Sequence, residues 1–145
     1  MNGTTIKNIS LATFAGMGSI FAEVFGGWDA FLKALIMFMI VDYITGMAVA
    51  MFFHKSNKTK NGGASSAVGF QGIVKKFCVF MLIALAVRVD ELSGTHYVRS
   101  AAIFFFIGNE GLSVLENLGL MGVPYPAFLK KALEVIKDNG ENGDE

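Results

Sequence analysis

Cysteine, histidine and proline are scarce in this 145-residue chain, and each scarcity excludes something. The one cysteine, Cys78, has no partner for an intramolecular disulfide, and its apolar surroundings argue against a redox or metal-binding thiol. The two histidines, His54 and His96, fall in predicted connections, and neither stands at metal-ligand spacing from a cysteine or from the other. No metal centre and no cofactor are expected. The segment Gly16–Ser19 lacks the preceding strand and the third glycine of a dinucleotide fingerprint, and no phosphate-binding loop occurs. Acidic residues are present without a nucleophile beside them, so the sequence does not read as an enzyme. Charge is also sparse, at 17% of residues, and its 12 basic and 12 acidic groups cancel. With no accumulated basic face, nucleic-acid binding is not expected.

Apolar residues are abundant: 53% of the chain, 14 phenylalanines among them, with a mean hydropathy of +0.52. That is too apolar for an ordinary soluble domain and too short for a large transporter, which leaves a single membrane domain. The clearest segment runs from Phe31 to Phe53 and holds one carboxylate, Asp42, at its midpoint. As a helix it measures roughly 35 Å, more than the ~30 Å hydrocarbon core of a bilayer. A charge at that depth costs about 2.5 to 3.5 kcal/mol, so Asp42 is expected to face protein or water. Three further apolar segments cover residues 9–25, 70–87 and 98–118. The expected fold is therefore all-α, with about four transmembrane helices. The first segment also fits a signal peptide or an interfacial helix, being rich in Gly and Ala with Glu23 near its end.

Lysines set the expected orientation. Lys55, Lys58, Lys60, Lys75 and Lys76 border the connection between the second and third segments, and Lys130, Lys131 and Lys137 follow the fourth. Only Lys33, Arg88 and Arg99 stand on the opposite side, so both termini are expected in the cytoplasm if all four segments cross. Lys75 and Lys76 are read as headgroup-snorkelling anchors. Residues 54–69 are polar and small and read as a mobile cytoplasmic linker. Pro124 and Pro126 break the chain after the fourth segment. An amphipathic helix over residues 127–137 follows, expected on the membrane surface or against its own copy, and residues 138–145 form an acidic tail.

Polar groups inside the apolar segments are the candidate functional residues. At ~100° per residue, Asn109, Glu110, Ser113, Glu116 and Asn117 fall within an arc of about 120° on one side of the fourth helix. Such a wall either lines a watery path or hydrogen-bonds neighbouring helices. In the second segment Asp42, Gly46 and Ala50 share a face, with Thr45 beside them, which places the carboxylate where another backbone can approach. Gly18, Ala22 and Gly26 repeat at four-residue spacing in the first segment and favour close helix packing, hence self-association.

Three stretches together resemble a known pattern: DYITG at Asp42–Gly46, GFQGIVKK at Gly69–Lys76, and NEGLSVLEN at Asn109–Asn117 followed by LGLMGVPYP. Their order and spacing, from Trp28 to Lys137, are similar to those of the phage holins of the toxin-secretion and lysis type, found in Gram-positive phages, prophages and clostridial toxin loci. The resemblance implies a homo-oligomer in the bacterial cytoplasmic membrane that opens lesions, collapses the proton-motive force and lets an endolysin or a toxin cross. It carries Asp42, Asn109, Glu110, Glu116 and Asn117 over as the intramembrane polar motif, with Lys75 and Lys76 as its basic border. The alternatives are a structural or accessory membrane subunit and a small ion channel.

Overall fold

The computed structural model describes residues 2–142, and every regular element among them is a helix. They are α1 (Gly3–Val24), α2 (Ala30–Ala48), α3 (Ser66–Ser93), α4 (Val98–Met121) and α5 (Ala127–Asn142). α2 runs straight into a π-helical turn, Val49–Phe53, that ends at His54 in a left-handed conformation. Local chemistry sets the other boundaries. Asp29 Oδ1 accepts the Leu32 N–H at 2.8 Å and caps the start of α2. α3 and α4 both stop on a left-handed glycine, Gly94 at φ 67° and Gly122 at φ 82°, a backbone state that costs other residues energy.

Among the described residues two helices are long and apolar enough to cross a membrane, Ala30–Phe53 and Val98–Met121. α1 and α3 have 22 and 28 residues, but α1 is diluted by Gly, Ser and Thr, and α3 carries Lys75, Lys76, Arg88, Asp90 and Glu91. The core lies where α2, α3 and α4 meet: Leu35, Met39, Ile83, Ile103 and Ile107 are buried there, with Phe38, Phe80 and Phe106 against them. α1 has no buried residue. It joins the bundle at its C-terminal end, where Phe25 packs edge-on against Phe80 with ring centroids 5.7 Å apart.

α5 differs from the sequence expectation. Instead of lying apart on a surface or awaiting a second copy, it folds back antiparallel along α4 and packs closely on it. Glycine permits this approach. A Cβ on Gly108 would overlap Lys137 Cβ and lie 2.8 Å from Leu133 O, and one on Gly111 would lie 2.6 Å from Leu133 Cδ2. Gly140 returns the favour at the far end, where its Cα faces the backbone of Ala101 and Phe105. Leu133 is buried and Ile136 reaches the core. The helix also runs on to Asn142, taking in Asp138 and Glu141 from the segment read as an acidic tail; Asp144 and Glu145 lie outside the described residues.

Candidate functional site

Polar side chains occupy positions of the same helical stripes that build the core. Leu32, Leu35, Met39 and Asp42 follow one another on the buried face of α2, and Ile103, Ile107, Glu110 and Asn117 do so on α4. On α3, Lys76 stands two turns before buried Ile83 on the inward stripe. The three helices therefore bring Asp42, Lys76 and Glu110 to one point. Lys76 Nζ donates to Asp42 Oδ2 at 2.8 Å and also to Glu110 Oε2. The three side chains are only 17%, 10% and 10% exposed, so one ammonium group serves two carboxyl groups away from bulk water.

Asn117 extends this cluster. Its Nδ2 donates to Asp42 Oδ1 at 3.2 Å and to Thr45 Oγ1 at 3.0 Å, which ties the end of α4 to the middle of α2. Gly46 lies beside that amide, and a Cβ there would meet Asn117 Nδ2 at an ordinary contact distance of 3.6 Å. Above the cluster is a cavity of about 540 Å³, walled by Ser113, Asn109 and Glu116 and roofed by Lys58 and Thr59 of the α2–α3 connection. That connection, a linker by sequence, is drawn into a compact turn: Ser56 N–H donates to Gly62 O at 2.9 Å and Thr59 Oγ1 to Gly63 O at 2.8 Å.

The structure thus divides the residues singled out by sequence. Asp42, Glu110 and Asn117 are buried together, Thr45 and Ser113 are half-buried beside them, and Asn109 and Glu116 are exposed on the same side of α4. Lys55, Lys58, Lys60 and Lys75 are exposed, whereas Lys76 turns inward to the carboxylates instead of snorkelling outward. Ala50 is buried in the bundle. A Cβ on Gly18 would meet no neighbour within 4 Å, Ala22 is half-buried, and Gly26 lies beyond the end of α1, where its φ of 72° and the Arg99 side chain, 2.9 Å from where a Cβ would stand, interrupt the small-residue stripe.

A second cluster, at the opposite end of the bundle, escaped the sequence reading. Arg99 is buried; its Nε donates to Phe25 O at 2.5 Å and its Nη1 to Asp29 Oδ2 at 2.6 Å. Its own N–H donates to Asp90 Oδ2 at 2.9 Å, while Val98 N–H and Thr95 Oγ1 donate to Asp90 Oδ1 at 3.1 and 2.7 Å. The α1–α2 and α3–α4 turns are locked together through this guanidinium. Burial alone would raise both carboxyls, but the Arg99 hydrogen bond and the Leu32 N–H at Asp29, and the Arg99, Thr95 and Val98 donors at Asp90, outweigh it and hold each below the usual carboxylate range. The available signal was confined to the α3–α4 turn, where Asp90 stands between Arg88 and Arg99; nothing near Asp29 in sequence marks its partner. For Lys76 the signal was its seven-residue spacing from Ile83.

A family model described as the bacteriophage holin family matches residues 19–138. The chain is 37% identical over 131 residues to an uncharacterized protein of Listeria innocua, covering 90% of this chain and 86% of the relative. It is 37% identical over 124 residues to an uncharacterized 14.9 kDa protein of Clostridium perfringens, covering 84% and 88%. With a probable holin of Bacillus phage phi105 it shares 30% identity over 116 residues, covering 79% and 80%. No solved structure matches the chain. Match length and identity agree: this chain belongs to the bacteriophage holin family.

Proposed function

We propose that the protein is a holin of the bacterial cytoplasmic membrane: a multi-pass homo-oligomer that opens lesions, dissipates the proton-motive force and lets an endolysin or a toxin cross. It does no enzymatic chemistry. Four crossings, α1 to α4, place the N-terminus, the lysine-bearing α2–α3 connection and the α4–α5 turn in the cytoplasm. The observation that carries the reading is Lys76 held between Asp42 and Glu110 within a bundle whose α2 and α4 are long and apolar enough to cross a bilayer.

Such a cluster makes the bundle conditional. Inside one copy the charged groups satisfy one another, and lipid sees mostly apolar surface: Ile40, Ile44, Phe70, Phe77 and Leu85 are all exposed. Asn109 and Glu116 remain uncovered on the polar side of α4, open to water or another copy. As copies accumulate, contacts between them compete with contacts within them, and a two-state population shifts. Each unit charge that moves across the field feels about 2.3 kcal/mol per 100 mV, so the resting potential biases the shift.

A second reading treats the chain as a stable accessory subunit whose polar groups only hold helices together. It is favoured by the completeness of the bonding: among the described residues no buried side-chain N or O lacks a hydrogen-bond partner. Controlled expression with a potential-sensitive dye and a co-expressed cytoplasmic endolysin decides. A holin gives abrupt depolarisation followed by lysis. An accessory subunit leaves the potential intact, and a small ion channel depolarises without letting the enzyme out.

A further inference from the structure

The cavity above the Lys76 cluster has three closed sides and one polar side. Between α2 and α3, Tyr43 fills the gap: a Cβ on Gly69 would meet its Oη at 3.6 Å, and one on Gly72 its Cε2 at 3.7 Å. Between α2 and α4, the Asn117 amide bridges to Asp42 and Thr45. At the inner end Val79 and Phe106 line the cavity and also pack on the core, whose Leu35, Met39, Ile83, Ile103 and Ile107 are at most 6% exposed. The remaining side is different in chemistry. Asn57 and Lys58 of the α2–α3 connection, Gln71 and Lys75 of α3, and Asn109 and Glu116 of α4 all line the cavity and are exposed.

These walls select the occupant. Hydrocarbon in the cavity would strip solvent from the Glu116 carboxylate and from the amides of Gln71 and Asn109 without replacing its hydrogen bonds. Water satisfies them, and about 540 Å³ far exceeds the ~10 to 15 Å³ that admits a single molecule. At the floor, Lys76, Asp42 and Glu110 keep 17%, 10% and 10% of their side-chain surface, so the cluster touches this space without opening to bulk. Beyond it the same helical stripes turn apolar, and a dry, close-packed layer of this kind stops ions and water.

We infer that the cavity is a water-filled vestibule built into each single copy: it admits water and small hydrophilic solutes from the side of the α2–α3 connection to the Asp42–Lys76–Glu110 cluster, and it ends at the apolar core. The inference rests on the membrane reading given above and not on lesion formation. It adds that a charged cluster at the midpoint of the α2 span exchanges with solvent on one side of the membrane only. Leu35, Met39, Ile83, Ile103 and Ile107 are then the barrier between that solvent and the Arg99 end of the bundle.

Cysteine accessibility tests this on the full chain, in a Cys78→Ser background and in sealed vesicles prepared before the onset of lysis. Asn57→Cys marks the face on which the vestibule opens, Ser113→Cys reports its wall, and Ile107→Cys reports the core, with Ile103→Cys in its place should that variant fail to insert. The probe is a charged methanethiosulfonate added to inside-out or to right-side-out vesicles. Ser113→Cys is expected to react from the same face as Asn57→Cys and from no other, severalfold more slowly than Asn57→Cys, and the core cysteine from neither face. Reaction of Ser113→Cys from neither face, from both or from the opposite one, or labelling of the core cysteine, overturns the vestibule; depolarisation and lysis by the unaltered chain then leave the holin reading standing. The expected labelling without depolarisation or lysis overturns the holin reading alone. Release of the chain from membranes by alkaline carbonate overturns both.

Discussion

Lys76 on α3 donates a 2.8 Å hydrogen bond to Asp42 on α2, 34 residues away, and the same ammonium group reaches Glu110 on α4. Removing Lys76 leaves two carboxyl groups buried without a cation, and breaking a buried pair in this way costs about 3 to 5 kcal/mol. Lys76→Met is therefore expected to lower the thermal midpoint of the detergent-solubilised protein strongly. The triple variant Lys76→Met, Asp42→Asn, Glu110→Gln removes the charges together and is expected to recover most of that loss. A triple variant as unstable as the single one would mean that the ion pairs are not what makes Lys76 necessary.

The same cluster predicts an effect on timing. Asp42→Asn with Glu110→Gln takes away the charges that respond to the membrane field at this site, so the onset of lysis and its advance by an uncoupler are expected to change together. Lysis curves with and without uncoupler measure this. Unchanged onset in both conditions would remove these carboxylates from the trigger.

Asn117 offers a milder test. Its amide joins Asp42 and Thr45 at 3.2 and 3.0 Å, and Asn117→Leu leaves those acceptors with one donor fewer inside the bundle. A loss of about 1 to 3 kcal/mol is expected from the unsatisfied groups, read from thermal unfolding in detergent. Glu116→Gln, on the exposed side of the same helix, is expected to leave the midpoint nearly unchanged.

How much of this was legible in the sequence depends on whether a residue reports its own environment. Asp42 did, because a lone carboxylate in an apolar run has few tolerable surroundings, and the small residues Gly46 and Ala50 marked the side from which another helix approaches. The polar arc of α4 was equally visible in its period. Lys76 was not, since a lysine near the end of an apolar segment has two outlets, the headgroups or a buried acid, and only the path of α3 relative to α2 and α4 selects one. Arg99 was hidden for the same reason: its partners at Phe25, Asp29 and Asp90 come from two other turns. For α5 the amphipathic pattern was clear, but the surface that takes its apolar face is fixed by Gly108 and Gly111, whose absent side chains leave no hydrophobic signal. Gly26 matched the small-residue stripe by spacing alone, while its left-handed φ places it in the turn after α1.

Acid is expected to loosen the Arg99 end of the bundle first. The carboxyls of Asp29 and Asp90, both beyond the apolar spans, are held below their ordinary values by Arg99 and the surrounding donors. Groups of this kind add stability that is fully present above the unfolded-chain value of about 3.9, and that is lost as pH falls from there through their lower folded values. Thermal midpoints measured from neutral pH down through that window are expected to fall, and the fall is expected to be shallower in Asp29→Asn, Asp90→Asn protein. An equal slope in that variant would place the acid sensitivity elsewhere.

Close packing of α5 on α4 makes the last prediction the most geometric. A methyl group on Gly108 would overlap Lys137 Cβ and crowd Leu133 O, which is helix backbone and cannot rotate away. Overpacking of this kind costs about 1 to 3 kcal/mol, comparable to what burying one apolar side chain such as Leu133 contributes to the docking. Gly108→Ala is therefore expected to release α5, and trypsin is expected to cut after Lys130, Lys131 and Lys137 faster in the variant. Gly119→Ala supplies the comparison, because its Cβ would meet Tyr125 at an ordinary 3.8 Å and leave α5 protected. Equal cleavage rates in the two variants would show that α5 does not depend on the glycine contact, and the antiparallel hairpin would then need another source of cohesion, with Ile136 in the core the remaining anchor.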